Sequence, residues 1–140
     1  MSEFADAADI ARLKADTRVW AVVGLGANPE RPAYGVARTL QQTYGKRIVP
    51  VYPRAEEVHG ERGYASLTEA AAAVGHIDVV DCFVNASRVG AIVDEAIAIG
   101  ANAVWMQLTV IDEAAAQRAK DAGLTVVMDR CPAIEFPRIP

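Results

Sequence analysis

Five apolar, β-branched runs punctuate the chain, at residues 19–23, 48–51, 77–83, 103–108 and 125–128. They are nearly continuous rather than alternating, the pattern of strands buried on both faces of a parallel sheet. The segments between them carry helical spacing. Ala33, Val36, Ala37, Leu40 and Tyr44 follow the i, i+3, i+4 rule, with Pro32 suited to a first helical turn and Gly45 to a C-terminal stop. Val89, Ile92, Val93, Ala96 and Ile97 repeat the pattern, opened by Ser87 and closed by Gly100. Ser66 and Glu69 form a capping box for a helix over 66–74 that stops at Gly75, and Asp112 is placed to cap an Ala-rich helix ending before Gly123. Ahead of Asp16, Ala5, Ala8, Ile10 and Leu13 lie between charges, predicting one further amphipathic helix over 1–16 packed on the outside.

Strand ends near 24, 52, 83, 107 and 129 give repeats of 22 to 31 residues, the span of a βα unit. Right-handed crossovers then build an α/β fold: a doubly wound, mainly parallel, five-stranded Rossmann-like sheet with helices on both faces. The 140 residues fit one domain, 1–140, with no repeat, low-complexity tract or linker.

Composition narrows the function classes. A hydrophobic share of 52% with 23% charged residues excludes a disordered chain. A net charge of −4 without a basic run disfavours nucleic acid, whose phosphates must be neutralised by Lys and Arg. No apolar run reaches the roughly 18 residues needed to span a bilayer, so no membrane partner is expected. Glu3, Asp6 and Asp9 stand where a signal peptide needs basic residues. Cys82 and Cys131 lack zinc-ligand spacing, so no metal site and a cytoplasmic setting with reduced thiols are expected.

In open α/β sheets ligands bind beyond the carboxyl ends of the strands, where strand order reverses. The first such segment is the most informative. Gly24-Leu25-Gly26-Ala27-Asn28-Pro29-Glu30-Arg31 follows a buried strand, and its glycines permit a tight turn and close backbone approach to an anion. It opens like G-x-G-x-x-G but places Pro29 where the third glycine belongs; a plain structural turn is the alternative. Arg31 beside the next helix start adds a guanidinium to the backbone donors. After the second strand come Tyr52, Pro53 and Arg54 rather than the acid that holds a nicotinamide ribose, the nearest acids being Glu56 and Glu57. That disfavours NAD and suits an extra phosphate, against Arg54 as a solvated loop charge. Val84, Asn85 and Ala86 offer a small-residue surface, Ser87 reads first as an N-cap, and Gln107 is a polar end to an apolar strand.

A catalytic constellation is missing. His59 and His76 lie in loops without a nucleophile partner, and neither GxSxG nor a Walker lysine occurs. Asp78 and Asp81 flank a buried strand, with Asp81 the more enclosed. Arg130 next to Cys131 would lower the thiol pKa; a partly buried anchor for the C-terminal tail is the competing reading.

The run VVGLGANPERPAY (22–34), with IVPVYP (48–53), DVVDCF (78–83), IVDEAIAIG (92–100), VWMQ (104–107) and GLTVVMDRC (123–131) in that order, resembles the small stand-alone CoA-binding domain proteins over 18–137. These share their fold with the CoA-binding domain of succinyl-CoA synthetase alpha subunits and ADP-forming acyl-CoA synthetases. The resemblance implies coenzyme A as ligand. Gly24, Leu25, Gly26, Ala27 and Arg31 would hold phosphates, and Tyr52, Pro53 and Arg54 would lie along the adenosine. Val84, Asn85 and Ala86 would contact adenine or pantetheine, and Gln107 would line the cleft. The family usually has Ser at the positions of Gly26 and Ala33, which implies weaker binding here. It usually has Arg where this chain has Val84, with Arg88 one turn later as the shifted contact.

The expected function is therefore binding of CoA or an acyl-CoA without catalysis, as carrier, sensor or regulatory protein. A subunit or remnant of an ADP-forming acyl-CoA synthetase needing a partner chain, and a nicotinamide-binding redox protein, are the alternatives. A mixed disulfide between CoA and Cys131 or Cys82 is a lesser idea. Pairing into a homodimer or docking on a partner enzyme stays open.

Overall fold

A computed structural model describes residues 4–140. Strands β1 (Val19–Val23), β2 (Arg47–Val51), β3 (Val79–Cys82), β4 (Ala103–Met106) and β5 (Thr125–Val127) form one sheet in the order β2-β1-β3-β4-β5. Every pairing is parallel. The apolar runs thus become strands within a residue or two of their expected ends, because both sheet faces are covered: β1 is buried from Trp20 to Val23, and β3 and β4 throughout.

Helices α1 (Ala7–Asp16) and α2 (Pro32–Gln42) cover one face. There Ile10, Leu13, Ala37 and Leu40 pack on Trp20, Val22, Trp105 and Val127. Phe136, in a closing 3-10 turn (Phe136–Arg138) after the short α6 (Pro132–Glu135), joins the same cluster. Trp20, Trp105 and Phe136 lie with ring centroids 5.7–5.9 Å apart. Each indole N–H finds an oxygen, Thr17 Oγ1 for Trp20 and the Arg130 carbonyl for Trp105, both at 2.8 Å. Helices α3 (Leu67–Val74), α4 (Ala86–Ala98) and α5 (Glu113–Asp121) cover the other face, packing Leu67, Val89, Val93 and Ala116 on Val80, Val104 and Met106.

The caps follow the sequence with one correction. Ser66 accepts from Glu69 N and Asp112 from Ala115 N. Ser87, however, is not the N-cap of α4. The chain turns directly after β3, and the Asn85 carbonyl closes the first turn by accepting from Arg88 and Val89 N–H at 2.8 and 3.1 Å. Ser87 is left as the second helical residue, exposed in the first turn. The helix expected over 1–16 starts at Ala7, capped by Asp6; residues 1–3 lie outside the described residues.

Edge strand β2 tolerates Pro50 because the residue's backbone faces the outer edge, where no ladder donor is needed and a returning loop uses only its carbonyl: Tyr64 N donates to the Pro50 carbonyl at 3.0 Å and the Tyr64 carbonyl accepts from Tyr52 N at 2.9 Å. This fold-back brings residues 52–65 over the carboxyl ends of β1 and β2. No helix among the described residues is long and apolar enough to cross a membrane.

Candidate functional site

Strand order reverses between β1 and β3, since the chain runs outward from β1 to β2 and then back past β1 to β3. A cleft of about 1110 Å³ opens there, beyond the carboxyl ends of the strands, with a polar annex of about 460 Å³ beside it.

The loop after β1 forms the boundary between the two. Gly24 has φ +100°, and its N–H donates to the Val51 carbonyl at 2.8 Å. A Cβ at this position would lie 2.2 Å from the Phe83 carbonyl oxygen, so only glycine lets the loop cross the end of β3. Leu25 then turns inward and is fully buried in the core, anchoring the loop by its side chain. Gly26, Ala27 and Asn28 line the annex. Asn28 Oδ1 accepts from Glu30 N at 3.0 Å, and Arg31 N donates to the Asn28 carbonyl at 3.2 Å, a local turn that delivers Arg31 to the N-cap position of α2 with Pro32 following.

Most residues singled out from sequence converge on these two cavities. Gly24, Arg31, Tyr52 and Arg54 line both. Pro53, Val84, Asn85, Arg88 and Gln107 line the larger one. Leu25 and Ala86 line neither; Ala86 is the first residue of α4. Among the described residues the guanidinium groups of Arg31, Arg54 and Arg88 make no hydrogen bond or ion pair, although the chain as a whole is acidic. Val36, Leu67, Ile92 and Val110 add apolar side chains to the lining of the same cleft. The site thus combines cations and backbone donors with apolar surface.

The floor holds a feature only suggested by the sequence. Asp81, in β3, is fully buried; its Oδ1 accepts from Gln107 Nε2 at 2.6 Å while Oδ2 has no partner. Burial pushes its carboxyl up from 3.8 to about 7, against the opposing pull of the Gln107 hydrogen bond. Gln107 therefore partners one Asp81 oxygen as well as lining the cleft. Asp78 is a structural clamp, accepting from Arg18 and Val19 N–H at 2.9 and 2.8 Å.

Cys131 lines the cleft and is buried, in line with the anchor reading rather than activation by Arg130. Arg130 Nη1 donates to the Asp129 carbonyl at 2.8 Å instead. Burial pushes the Cys131 thiol up, with backbone donors at Ala133 and Ile134 opposing and Asp81 and Glu135 adding to the rise. Burial likewise raises Cys82 far above the ordinary thiol range. His59 Nε2 lies 2.7 Å from the Tyr34 carbonyl, and His76 Nε2 lies 2.6 Å from Asn102 Oδ1, so neither faces a nucleophile. No group of His, Cys, Asp or Glu among the described residues could hold a metal ion.

Glu56 is the residue that sequence reasoning missed. It appeared only as an acid too distant to serve a ribose, yet the fold-back places its Oε1 3.1 Å from Ala27 N, inside the annex. No local pattern signals this.

A sequence profile of the CoA binding domain matches residues 18–137. The chain belongs to the CoA-binding domain family. Another similar protein, YneT of Bacillus subtilis (strain 168), is 34% identical over 111 residues, 79% of each chain. A hypothetical protein from Pyrococcus horikoshii OT3 superposes with a TM-score of 0.87 at 34% identity, covering 96% of this chain and 92% of that one. The dinucleotide-forming acetyl-coenzyme A synthetase 1 of Ca. Korarchaeum cryptofilum shares the fold, with a TM-score of 0.67 and 21% identity; 82% of this chain aligns, spanning 26% of the synthetase chain. At Gly26 a Cβ would lie 3.2 Å from the Tyr52 ring and 2.9 Å from Glu56 Oε1.

Proposed function

We propose that this protein binds coenzyme A or an acyl-CoA in the switch-point cleft without catalysing a reaction of its own, as a carrier, sensor or regulatory protein in the cytoplasm. The observation that carries the reading is the convergence of three unpartnered guanidinium groups, Arg31, Arg54 and Arg88, on a cleft bordered by the Gly24 loop and the start of α2. Arg31 and the loop amides would hold the pyrophosphate, where backbone donors and a helix N-terminus favour anions. Arg54 would meet the ribose phosphate and Arg88 the far side of the nucleotide. The apolar part of the lining, with Leu67, Ile92 and Val110, would take pantetheine. The glycine that only a backbone-crossing loop needs, and cations left without protein partners, both fit such a ligand.

Calorimetry with CoA, 3′-dephospho-CoA and NAD tests this. CoA should bind below millimolar concentration, 3′-dephospho-CoA more weakly, and NAD weakest. Absence of heat with CoA at millimolar concentration would sink the proposal.

A second reading is favoured by Leu108, Ile111 and Ile134, apolar side chains exposed at 44–49%, of which Leu108 lines the cleft. Exposed apolar groups suit a partner chain, so that the protein would serve as the CoA-binding part of an ADP-forming acyl-CoA synthetase; the acetyl-coenzyme A synthetase above has this fold over 26% of its chain. ADP-forming activity appearing when a candidate partner is added would establish it.

A further inference from the structure

We propose that Glu56 is a built-in anionic competitor at the glycine loop: its carboxylate holds the Ala27 amide until a phosphate-bearing ligand displaces it. This deepens the reading of the cleft as a CoA site and rests on it only for the identity of the natural ligand.

The Ala27 N–H, a backbone donor of the loop, is already occupied by Glu56 Oε1 at 3.1 Å. Among the described residues Glu56 is the only acid lining the annex, where Arg31 and Arg54 are the cations. Neither guanidinium pairs with it, so the carboxylate has taken the loop amide and left the positive charges uncompensated. A carboxylate accepts hydrogen bonds and carries the same charge sign as a phosphate, so the two cannot share this donor.

The chain has made room for this arrangement. A Cβ at Gly26 would stand 2.9 Å from that same Oε1 and 3.2 Å from the Tyr52 ring. No unusual φ requires glycine there, so the space itself is the reason for the residue. Gly63 packs so closely on the Glu56 backbone that its own Cβ would lie 2.1 Å from the Glu56 carbonyl oxygen. The Glu56 main chain is therefore fixed, and release from the loop is a swing of the side chain alone.

The comparison of strengths decides the direction. Glu56 is half-buried and held by this single hydrogen bond, a weak hold for a group with access to water. A diphosphate brings several acceptor oxygens and two guanidinium partners in place of one amide contact. Ligands with a single phosphate gain less and displace the carboxylate less readily, so Glu56 sharpens selection for the diphosphate.

The test is calorimetry of inorganic pyrophosphate and of CoA against wild type, Glu56→Gln and Glu56→Ala, with the Ala27 amide followed by ¹⁵N NMR. Both ligands should bind both variants about three- to tenfold more tightly, and the Ala27 resonance should move in ligand-free Glu56→Ala. Gly26→Ala, whose methyl pushes the carboxylate off the amide while keeping its charge and adding no hydroxyl donor, should also tighten pyrophosphate binding. Equal or weaker pyrophosphate binding by both Glu56 variants overturns the inference, as does absence of pyrophosphate binding to every form; weaker binding would mean that Glu56 stays and accepts a ligand hydroxyl. Tighter pyrophosphate binding without any CoA binding upholds the role of Glu56 and removes the CoA reading instead.

Discussion

Replacing Asp81 by Asn should convert a pH-dependent stability into a flat one. In the wild type the folded carboxyl, raised to about 7 from 3.8, keeps its proton across a window in which the unfolded chain has lost it. The folded state therefore binds more protons between about pH 4 and pH 7, and stability falls as pH rises through that window. The contribution is complete below about pH 4 and gone above about pH 7. The gap between the two values corresponds to about 4 kcal/mol, a large share of the roughly 5–15 kcal/mol that stabilises a typical domain. Asn has the shape of the protonated acid and can still accept the Gln107 amide through its own oxygen. Urea unfolding at several pH values from 4.5 to 7.5, followed through the buried Trp20 and Trp105, measures the difference between the two proteins. Groups common to both cancel. The variant should gain little at the lowest pH and about 3–4 kcal/mol at the highest. A difference that stays constant with pH, or a variant less stable than wild type at pH 7.5, would refute the reasoning.

Other outcomes follow from the same geometry. Gly24→Ala forces a side chain into a left-handed backbone and against the Phe83 carbonyl, so thermal unfolding should show a loss of more than about 2 kcal/mol. Arg31→Ala and Arg54→Ala should each weaken CoA binding about tenfold with unchanged stability, and added salt should shrink the difference between variant and wild type. Because burial raises both thiols, native protein at pH 7.5 should react with iodoacetamide at least roughly tenfold more slowly than free cysteine; rapid labelling of Cys131 would show the thiol to be activated after all.

The elements were legible where a residue's role depends on its own neighbourhood. Runs such as Val19–Val23 are apolar at every position because both sheet faces are covered, and Ser66, Asp112 and Pro32 mark helix starts through local hydrogen bonds and fixed φ. Gly24 was legible for the same reason, standing between a buried strand and a helix. Ser87 misled because the chain turned two residues earlier than a side-chain cap would require. The Asp81–Gln107 pair joins residues 26 apart and exists only through the register of β3 against β4. Glu56 depends on a longer route: the return of Tyr64 to β2, together with Ala55 and His59 at φ +50° and +52°, conformations that their residue types do not announce. Arg130 and Cys131 show why the anchor reading of the thiol holds: adjacency along an extended chain says little about which groups meet in space, and Arg130 turns to the Asp129 carbonyl.

Amide chemical-shift mapping on the ¹⁵N-labelled protein during titration with CoA would locate the ligand residue by residue. Saturable shifts should concentrate at Gly24, Ala27, Arg31, Tyr52, Arg54, Asn85 and Arg88, with residues of α5 unmoved. Shifts centred away from the carboxyl ends of β1 and β3, or none at millimolar CoA, would contradict a CoA site in this cleft.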